Sequence, residues 1–241
     1  MNKLFVPCAL AFALVLAGCA SSGNSSPKTE TTAAASIDPT KFTGKVTNPY
    51  FPLTPGTTFI YRGARDGLPM RDVVTVTGQT KVIEGVPCVV LRDNLYLAGR
   101  LAERTTDWYT QDKQGTVWYF GELTAELDRN GRVTNTEGTW QAGVDGAKPG
   151  IYMPARPKVG QSFVQELFKG HAEDHFRVLS LSATVSVPYT RSEQALLTKE
   201  WTPLEPGVID HKLYVRGVGM VKEEAVKGAR ERAVLVSVRR R

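Results

Sequence analysis

The sequence predicts an all-β protein: a single antiparallel, strongly curved sheet or partly closed barrel, carried behind an N-terminal signal and a disordered tether. Three observations predict it. Short β-branched and aromatic runs separated by turn residues about every 8 to 12 positions fill the chain from residue 41 onward. No long amphipathic helix competes with them, and 241 residues suffice for one sizeable all-β core. With 41% hydrophobic residues, 22 Gly and 14 Pro, the composition excludes collagen-like and wholly disordered chains. The longest apolar run is interrupted by Pro7 and ends at Gly18 and Cys19, short of the roughly 18 residues a spanning helix needs, so a multi-pass membrane protein is excluded.

Residues 1–18 have the plan of an export signal: Met1, Asn2 and Lys3 give a basic start, and residues 4–16 are almost continuously apolar. The segment closes on Leu16, Ala17, Gly18 and Cys19. That tetrapeptide resembles the lipobox of bacterial lipoprotein precursors. The resemblance implies a diacylglycerol on the Cys19 sulfur and cleavage after Gly18, which removes 18 of 241 residues and leaves 223. An ordinary secretory signal with an incidental Cys19 is the alternative. Each buried CH₂ contributes about 0.8 kcal/mol, so two or three acyl chains would hold the protein firmly at a membrane. Residues 19–40 are rich in Ser, Thr, Ala, Gly and Pro and read as a lipidated flexible tether, leaving 41–241 as one β domain. Ala20 stands where the lipoprotein resemblance would place Asp for retention in an inner membrane. This implies a cell-envelope location, at the periplasmic face of the outer membrane in an organism with two membranes. Cys8 leaves with the signal and Cys19 carries lipid, so Cys88 has no partner and a disulfide framework is excluded. The apolar run around Cys88 predicts a buried, inert thiol.

In order, the candidate strands are 57–62, 72–80, 86–95, 101–111, 116–123, 162–166, 174–187, 195–201, 210–216, 220–225 and 231–238. Residues 191–197 could form one or two helical turns, too few to stand alone in water. One hairpin is strongly written, because Asp112 and Gly115 occupy the first and fourth places of a type I turn. With a one-residue bulge at the turn, Tyr109 faces Tyr119 and Trp108 faces Phe120. Without it, Trp108 faces Tyr119 and Tyr109 faces Trp118. These aromatics serve either as sheet glue, at about 0.2 to 1 kcal/mol per pair, or as a binding face.

Asn48-Pro49-Tyr50-Phe51-Pro52-Leu53 with Pro55-Gly56-Thr57 forms one motif. Trp201-Thr202-Pro203-Leu204-Glu205-Pro206-Gly207, followed by His211-Lys212-Leu213-Tyr214 and Gly217-Val218-Gly219, forms another. Together they resemble an uncharacterised family of secreted bacterial β-proteins, over nearly all of the chain after the tether. The closing Gly-Val-Gly hairpin is similar to that of bacterial envelope domains built as one curved sheet. The resemblance implies a fold and no activity.

The search for chemistry is mostly negative. No nucleophile elbow, phosphate-binding loop, dinucleotide fingerprint or Cys-x-x-Cys pair occurs, and no cofactor is expected. His171 and His175 would share a face only on a helix, and Gly170 argues against one, so no metal site is expected. His211 beside Asp210 reads as a strand histidine with a solvated neighbour. Asp128, Asn130 and Gly131 resemble the start of a calcium loop, but a hairpin turn explains all three.

Net charge is +6, with Lys227, Arg230, Arg232, Arg239, Arg240 and Arg241 crowded near the C-terminus. Outside the cytoplasm nucleic acid is not an expected partner. A basic face suits anionic lipid, lipopolysaccharide or an envelope protein, or else it guards a strand edge against pairing. Residues 138–160 hold five Gly and three Pro together with Trp140, Tyr152 and Met153, and read either as a flap over a site or as a cover on the sheet's edge. The leading expectation is a membrane-anchored envelope lipoprotein that binds an apolar ligand or a partner protein through a curved sheet. Trp108, Tyr109, Trp118, Tyr119, Trp140, Tyr152 and Met153 are the candidate binding residues. The alternatives are a carboxylate-dependent envelope hydrolase using Glu103, Asp107, Glu122 or Asp145, and a structural component of an envelope complex.

Overall fold

The computed structural model describes residues 37–240. Leu16, Ala17, Gly18 and Cys19, with the signal and most of the tether, lie outside the described residues. Pro39–Arg241 form one unit. After a short 3₁₀ turn (Pro39–Lys41), the chain builds β1 (Thr57–Arg65), β2 (Leu68–Ile83), β3 (Val86–Leu97), β4 (Arg100–Gln111) and β5 (Val117–Leu127). Three short strands follow: β6 (Val133–Asn135), β7 (Trp140–Gln141) and β8 (Lys148–Met153). Then come β9 (Ser162–Val164), β10 (Glu166–Leu167), β11 (His175–Ser186), β12 (Arg191–Trp201), β13 (Ile209–Val215), β14 (Gly219–Lys227) and β15 (Glu231–Arg240).

All pairings are antiparallel, in the order β10-β8-β5-β4-β3-β2-β1-β15-β14-β13-β12-β11-β9. The two ends of that order are consecutive in sequence. Residues 162–164 pair with β11, residues 166–167 pair with β8, and buried Gln165 joins the two halves, its N–H donating to Asp174 O at 2.7 Å. One kinked strand therefore nearly closes the sheet into a barrel, as closure is the direct way to leave no unpaired edge.

Backbone approaches backbone tightly at this seam. A Cβ on Gly150 would stand 2.2 Å from Gln165 O and 2.6 Å from Val164 O. Gly150→Ala is expected to cost about 1–3 kcal/mol, the scale of overpacking, and to speed amide exchange at residues 162–167 over the rest of the barrel. Uniform exchange across all strands would contradict the seam.

Each of the eleven expected strands is present, most of them longer than expected. Residues 191–197 are extended as the start of β12, because Ala195 and Leu196 bury completely at the sheet interior. The expected interruption at 138–160 contains two strands: β7 and β8 pair with β5, and a tight turn between them is closed by the Gly143 N–H on Ala147 O. A flap is thereby ruled out, because pairing satisfies backbone groups that a loop over the barrel would leave without partners. The hairpin at Asp112 follows the bulged alternative. Gly115 N–H donates to Asp112 O, Asp112 N–H donates to Thr116 O, and Tyr109 faces Tyr119 with rings stacked at 4.4 Å. Trp108 sits at a register shift and pairs with neither expected partner. β15 lies between β1 and β14, so its arginines guard no free edge.

One barrel end is plugged by residues 42–53. Gln111 Oε1 accepts the N–H groups of Thr47 and Asn48, and Asn48 Nδ2 donates to Gly115 O and Pro154 O. Phe51 packs on Tyr109 and Tyr152 at 5.1 and 4.4 Å between centroids. The β13–β14 turn closes on the same plug, with Gly217 N–H donating to Pro49 O at 2.7 Å. The first motif thus builds the plug and Gly217 of the second closes on it, whereas residues 201–207 of the second motif lie at the other end of the barrel, between β12 and β13.

Candidate functional site

Alternation places every second side chain inside the barrel. Near the plug these are Phe59, Val76, Leu91, Leu196, Tyr214, Val221 and Leu235, all buried. Farther along the same strands the inward positions turn acidic: Asp72 follows in line with Val76 on β2, Asp93 with Leu91 on β3, Glu223 with Val221 on β14 and Glu231 with Leu235 on β15. Glu103, Asp107, Glu122, Glu166, Asp174, Glu200 and Asp210 complete the layer. Eleven carboxyl groups face two cations, Arg65 and Lys212. Toward the mouth, a cavity of about 190 Å³ is lined by Arg65, Asp72, Asp93, Glu103, Glu223 and Glu231, among others.

Burial pushes eight of these carboxyls, Asp72, Asp93, Glu103, Asp107, Glu122, Glu166, Asp174 and Asp210, toward the neutral form, since desolvation penalises the charged one. Asp107 is raised to about 7 and Asp210 to about 6, chiefly by burial. Glu122, Glu166 and Asp93 are raised further, also chiefly by burial and then by neighbouring acids. Among the described residues, Asp72 and Asp93 find no N–H or O–H donor for their Oδ1 atoms. After burial, the two act on each other: Asp72 raises Asp93 further, and Asp93 opposes the rise at Asp72. Tyr119 Oη reaches Asp107 Oδ1 at 2.6 Å and Glu122 Oε2 at 3.0 Å. A hydroxyl has one proton, so both contacts are hydrogen bonds only when one of the two carboxyls is protonated.

Lys212 is the counterweight. Its Nζ lies 2.9 Å from Glu200 Oε2 and 3.3 Å from Glu223 Oε1, and those carboxylates raise its pKa against the opposing effect of burial. Glu200 also accepts from Thr198 and Tyr214. Arg65 grips Glu231 with two hydrogen bonds of 2.6 and 3.0 Å.

The charge distribution is segregated. Residues 37–240 carry 27 Lys and Arg and 23 Asp and Glu; with two cations and eleven acids inside, 25 basic groups face 12 acidic ones on all other surfaces. Outward positions within successive strands hold Arg62, Arg71, Arg92, Arg104 and Arg232. That is the reverse of a membrane-spanning barrel, which shows lipid an apolar band.

The sequence-predicted aromatic face divides between two sides of the sheet. Tyr109, Tyr119, Trp140 and Tyr152 pack together inside with Phe51, forming the floor beneath the acidic layer, and Met153 is buried at the end of β8. Trp108 lies under Lys81, whose Nζ stands 3.3 Å from the ring centroid, and Trp118 donates to Asp112 at the hairpin turn. Neither reaches the lumen. Trp140 is 3% exposed and meets Tyr119 edge-on. Its N–H makes no hydrogen bond of full geometry but lies near enough to Glu166 to favour that group's ionised form. Trp140→Ala is expected to cost about 3 kcal/mol or more, as for other buried aromatics; unchanged stability in a chemical melt would show that its packing is dispensable.

Of the carboxyls expected for hydrolysis, Glu103, Asp107 and Glu122 gather in the lumen, whereas Asp145 sits in the β7–β8 turn. His175 stacks on Trp201 and His171 on Phe168, so the two rings have separate partners. Asp210 faces the cavity and its neighbour His211 faces outward, as adjacent strand positions must. The Asp128 turn is closed by Gly131 N–H on Asp128 O. Cys88 is fully buried and its thiol is pushed up to about 12 by burial. Among the described residues no group of three His, Cys, Asp or Glu side chains is arranged to hold a metal ion, and no helix is long and apolar enough to cross a membrane.

The sequence reading missed Asp72, Asp93, Glu166, Asp174, Glu200, Lys212 and Glu223 as a set. A signal existed: an acid recurring in period-two register with core residues, as in Leu91, Asp93 and Leu95.

No protein-family model matches the chain, and no curated protein sequence matches it significantly. Among solved structures, one described as an exported protein with a YmcC-like fold from Bacteroides fragilis is 16% identical. The match covers 79% of this chain and 99% of that one, at a TM-score of 0.46. Another, described as a lipoprotein from Parabacteroides distasonis, is 11% identical over 80% and 99% of the two chains, at a TM-score of 0.40. Neither distant likeness assigns an activity.

Proposed function

We propose that the protein is a membrane-anchored lipoprotein of the bacterial cell envelope whose barrel lumen binds a small organic cation. The observation that carries this reading is a mouth-side cavity of about 190 Å³ lined by six carboxyls, Asp72, Asp93, Glu103, Asp210, Glu223 and Glu231, against one cation, Arg65. Buried charges are stable only when paired, so carboxyls without a neighbouring cation keep protons that an ammonium or guanidinium group could replace. The lumen is therefore unsuited to the apolar ligand expected from the sequence, and Tyr109, Tyr119, Trp140, Tyr152 and Met153 serve as its floor. Leu16-Ala17-Gly18-Cys19 supports the anchor, and Ala20 supports the periplasmic face of the outer membrane in a two-membrane cell. An unprocessed precursor from Cys19→Ala, and added acyl mass on the native mature chain, are the expected results for lipidation.

Ligand binding is tested by thermal shift of the full-length protein in neutral detergent. At tenfold excess over its dissociation constant, 1,4-diaminobutane should stabilise by about 1.4 kcal/mol. 1,4-Butanediol should not, and Asp93→Asn with Glu103→Gln should abolish the response. Equal shifts with the diol, or none with the amine, would contradict the reading.

One observation favours a second reading, a carboxylate-dependent hydrolase. Asp107, raised to about 7 beside Tyr119 and Glu122, has the properties of a proton-transfer group at neutral pH. Turnover of a glycoside or ester panel, abolished by Asp107→Asn, would establish it.

A further inference from the structure

The outer wall of the barrel carries a second cavity, unrelated to the lumen. It lies over β3, β4 and β5 beneath the β6 hairpin, has a volume of about 370 Å³, and is lined chiefly by Arg92, Asn94, Arg104, Leu123, Ala125 and Val133. Its apolar side chains are unusually exposed, Leu123 at 54% and Val133 at 47%. Both sit on outward strand positions where nothing among the described residues covers them. Two arginines flank this apolar floor. Arg92 contacts only the neutral Gln79 amide, at 3.1 Å, and Arg104 has no hydrogen-bond or ion-pair partner among the described residues. The surrounding wall is basic, with Arg62, Arg71 and Arg232 on neighbouring strands and more than twice as many basic as acidic groups outside the lumen.

We propose that this groove binds one anionic phospholipid, with the phosphate between Arg92 and Arg104 and an acyl segment along Leu123, Ala125 and Val133. Charge complementarity selects the occupant. A neutral lipid would leave both guanidinium groups without an anion, a free phosphate would leave the apolar floor in water, and an acidic peptide offers no acyl chain to cover it. A planar guanidinium pair suits phosphate better than point charges would, because each can donate two parallel hydrogen bonds. The site is independent of the lumen, and the inference does not rest on what the lumen binds.

The test is native mass spectrometry of the full chain released from neutral detergent, with dihexanoyl phosphatidylglycerol or dihexanoyl phosphatidylcholine supplied at equal concentration. A single phosphatidylglycerol adduct, populated about tenfold above the phosphatidylcholine adduct, is expected. Arg92→Gln with Arg104→Gln should erase that preference, Leu123→Ser should weaken both adducts, and Arg62→Gln with Arg232→Gln should change neither. All of these side chains lie on the outer wall, so the variants keep the barrel, and circular dichroism checks it. Equal loss from the Arg62 and Arg232 pair would mean diffuse charge attraction and would overturn the site. Equal binding of the two lipids, or glycerol phosphate binding as well as phosphatidylglycerol, would overturn it as well.

Discussion

Raising the pH from about 5 to about 8 should lower the melting temperature of the ligand-free protein by on the order of 10 °C, and Asp107→Asn should remove much of that fall. The sign follows from proton linkage. A carboxyl whose folded-state pKa is raised binds more protons folded than unfolded. Its contribution is fully present below the ordinary carboxylate range and is lost as pH rises through the folded value. For Asp210 that loss centres near 6 and for Asp107 near 7. Asp72, Glu103 and Asp174 are raised in the same direction, again chiefly by burial. Asp107 is fully buried, and its displacement corresponds to up to about 4 kcal/mol at alkaline pH, or very roughly 2–4 °C per kcal/mol in a domain of this size. Asp210 is half exposed to solvent screening and contributes less. Opposing groups are few: His175 is lowered by burial and Glu224 by its Lys222 partner, and both lie near the surface. Asn at position 107 can still accept from Tyr119 and carries no charge to desolvate. Its melting curve should therefore cross the wild-type curve and stay higher at alkaline pH. A melting temperature that rises across this range in both proteins would contradict the assignment of protonated carboxyls to the lumen.

Lys212→Met should destabilise the barrel by about 3–5 kcal/mol near pH 8, the cost of stripping a buried ion pair of one partner. Two carboxylates, Glu200 and Glu223, lose their cation at once, and Glu200 stays fixed by Thr198 and Tyr214. The loss should shrink near pH 5, where protonation can relieve both acids. Adding Glu200→Gln and Glu223→Gln should recover most of it, because a neutral lumen of similar shape carries no uncompensated charge. Arg65→Met should cost less, since Arg65 remains a third exposed beside Glu231 and Glu103. Chemical denaturation of the four proteins at the two pH values measures all of this. A Lys212→Met variant as stable as wild type at pH 8 would mean that Glu200 and Glu223 are already neutral there.

The barrel was legible in the sequence because period-two patterning and turn chemistry are local. Asp112 and Gly115 specify their own hairpin, and Val89, Leu91 and Leu95 mark a core face without reference to other strands. The closing strand was not legible as such. Residues 162–166 read as one strand, and only the arrival of β8 and β11 on either side of Gln165 kinks it and closes the sheet. Residues 138–160 read as a loop because Gly and Pro weigh against strands, whereas Gly121 and Gly150 are required where a neighbouring backbone approaches within the reach of a Cβ. The aromatic cluster was anticipated in its members but not in its sidedness. Alternation along β4 puts Tyr109 inward beside Asp107 and Trp108 outward, and which face is the inner one is decided only by the barrel. The acidic layer was least legible. The sequence offers Glu103, Asp107 and Glu122 as candidate hydrolase carboxylates without bringing them together, and only the barrel's closure sets them opposite Asp174 and Glu166 from strands far away in sequence.

The central claim is that the lumen exchanges protons for a small organic cation. Isothermal titration of the full-length protein with 1,4-diaminobutane, near pH 7 in two buffers of different ionisation enthalpy, tests it most directly. The account predicts saturable binding with net proton release, seen as a buffer-dependent heat, which weakens as pH falls toward 5 and vanishes in Asp93→Asn with Glu103→Gln. Binding that releases no protons, or that persists unchanged in that variant, would contradict it.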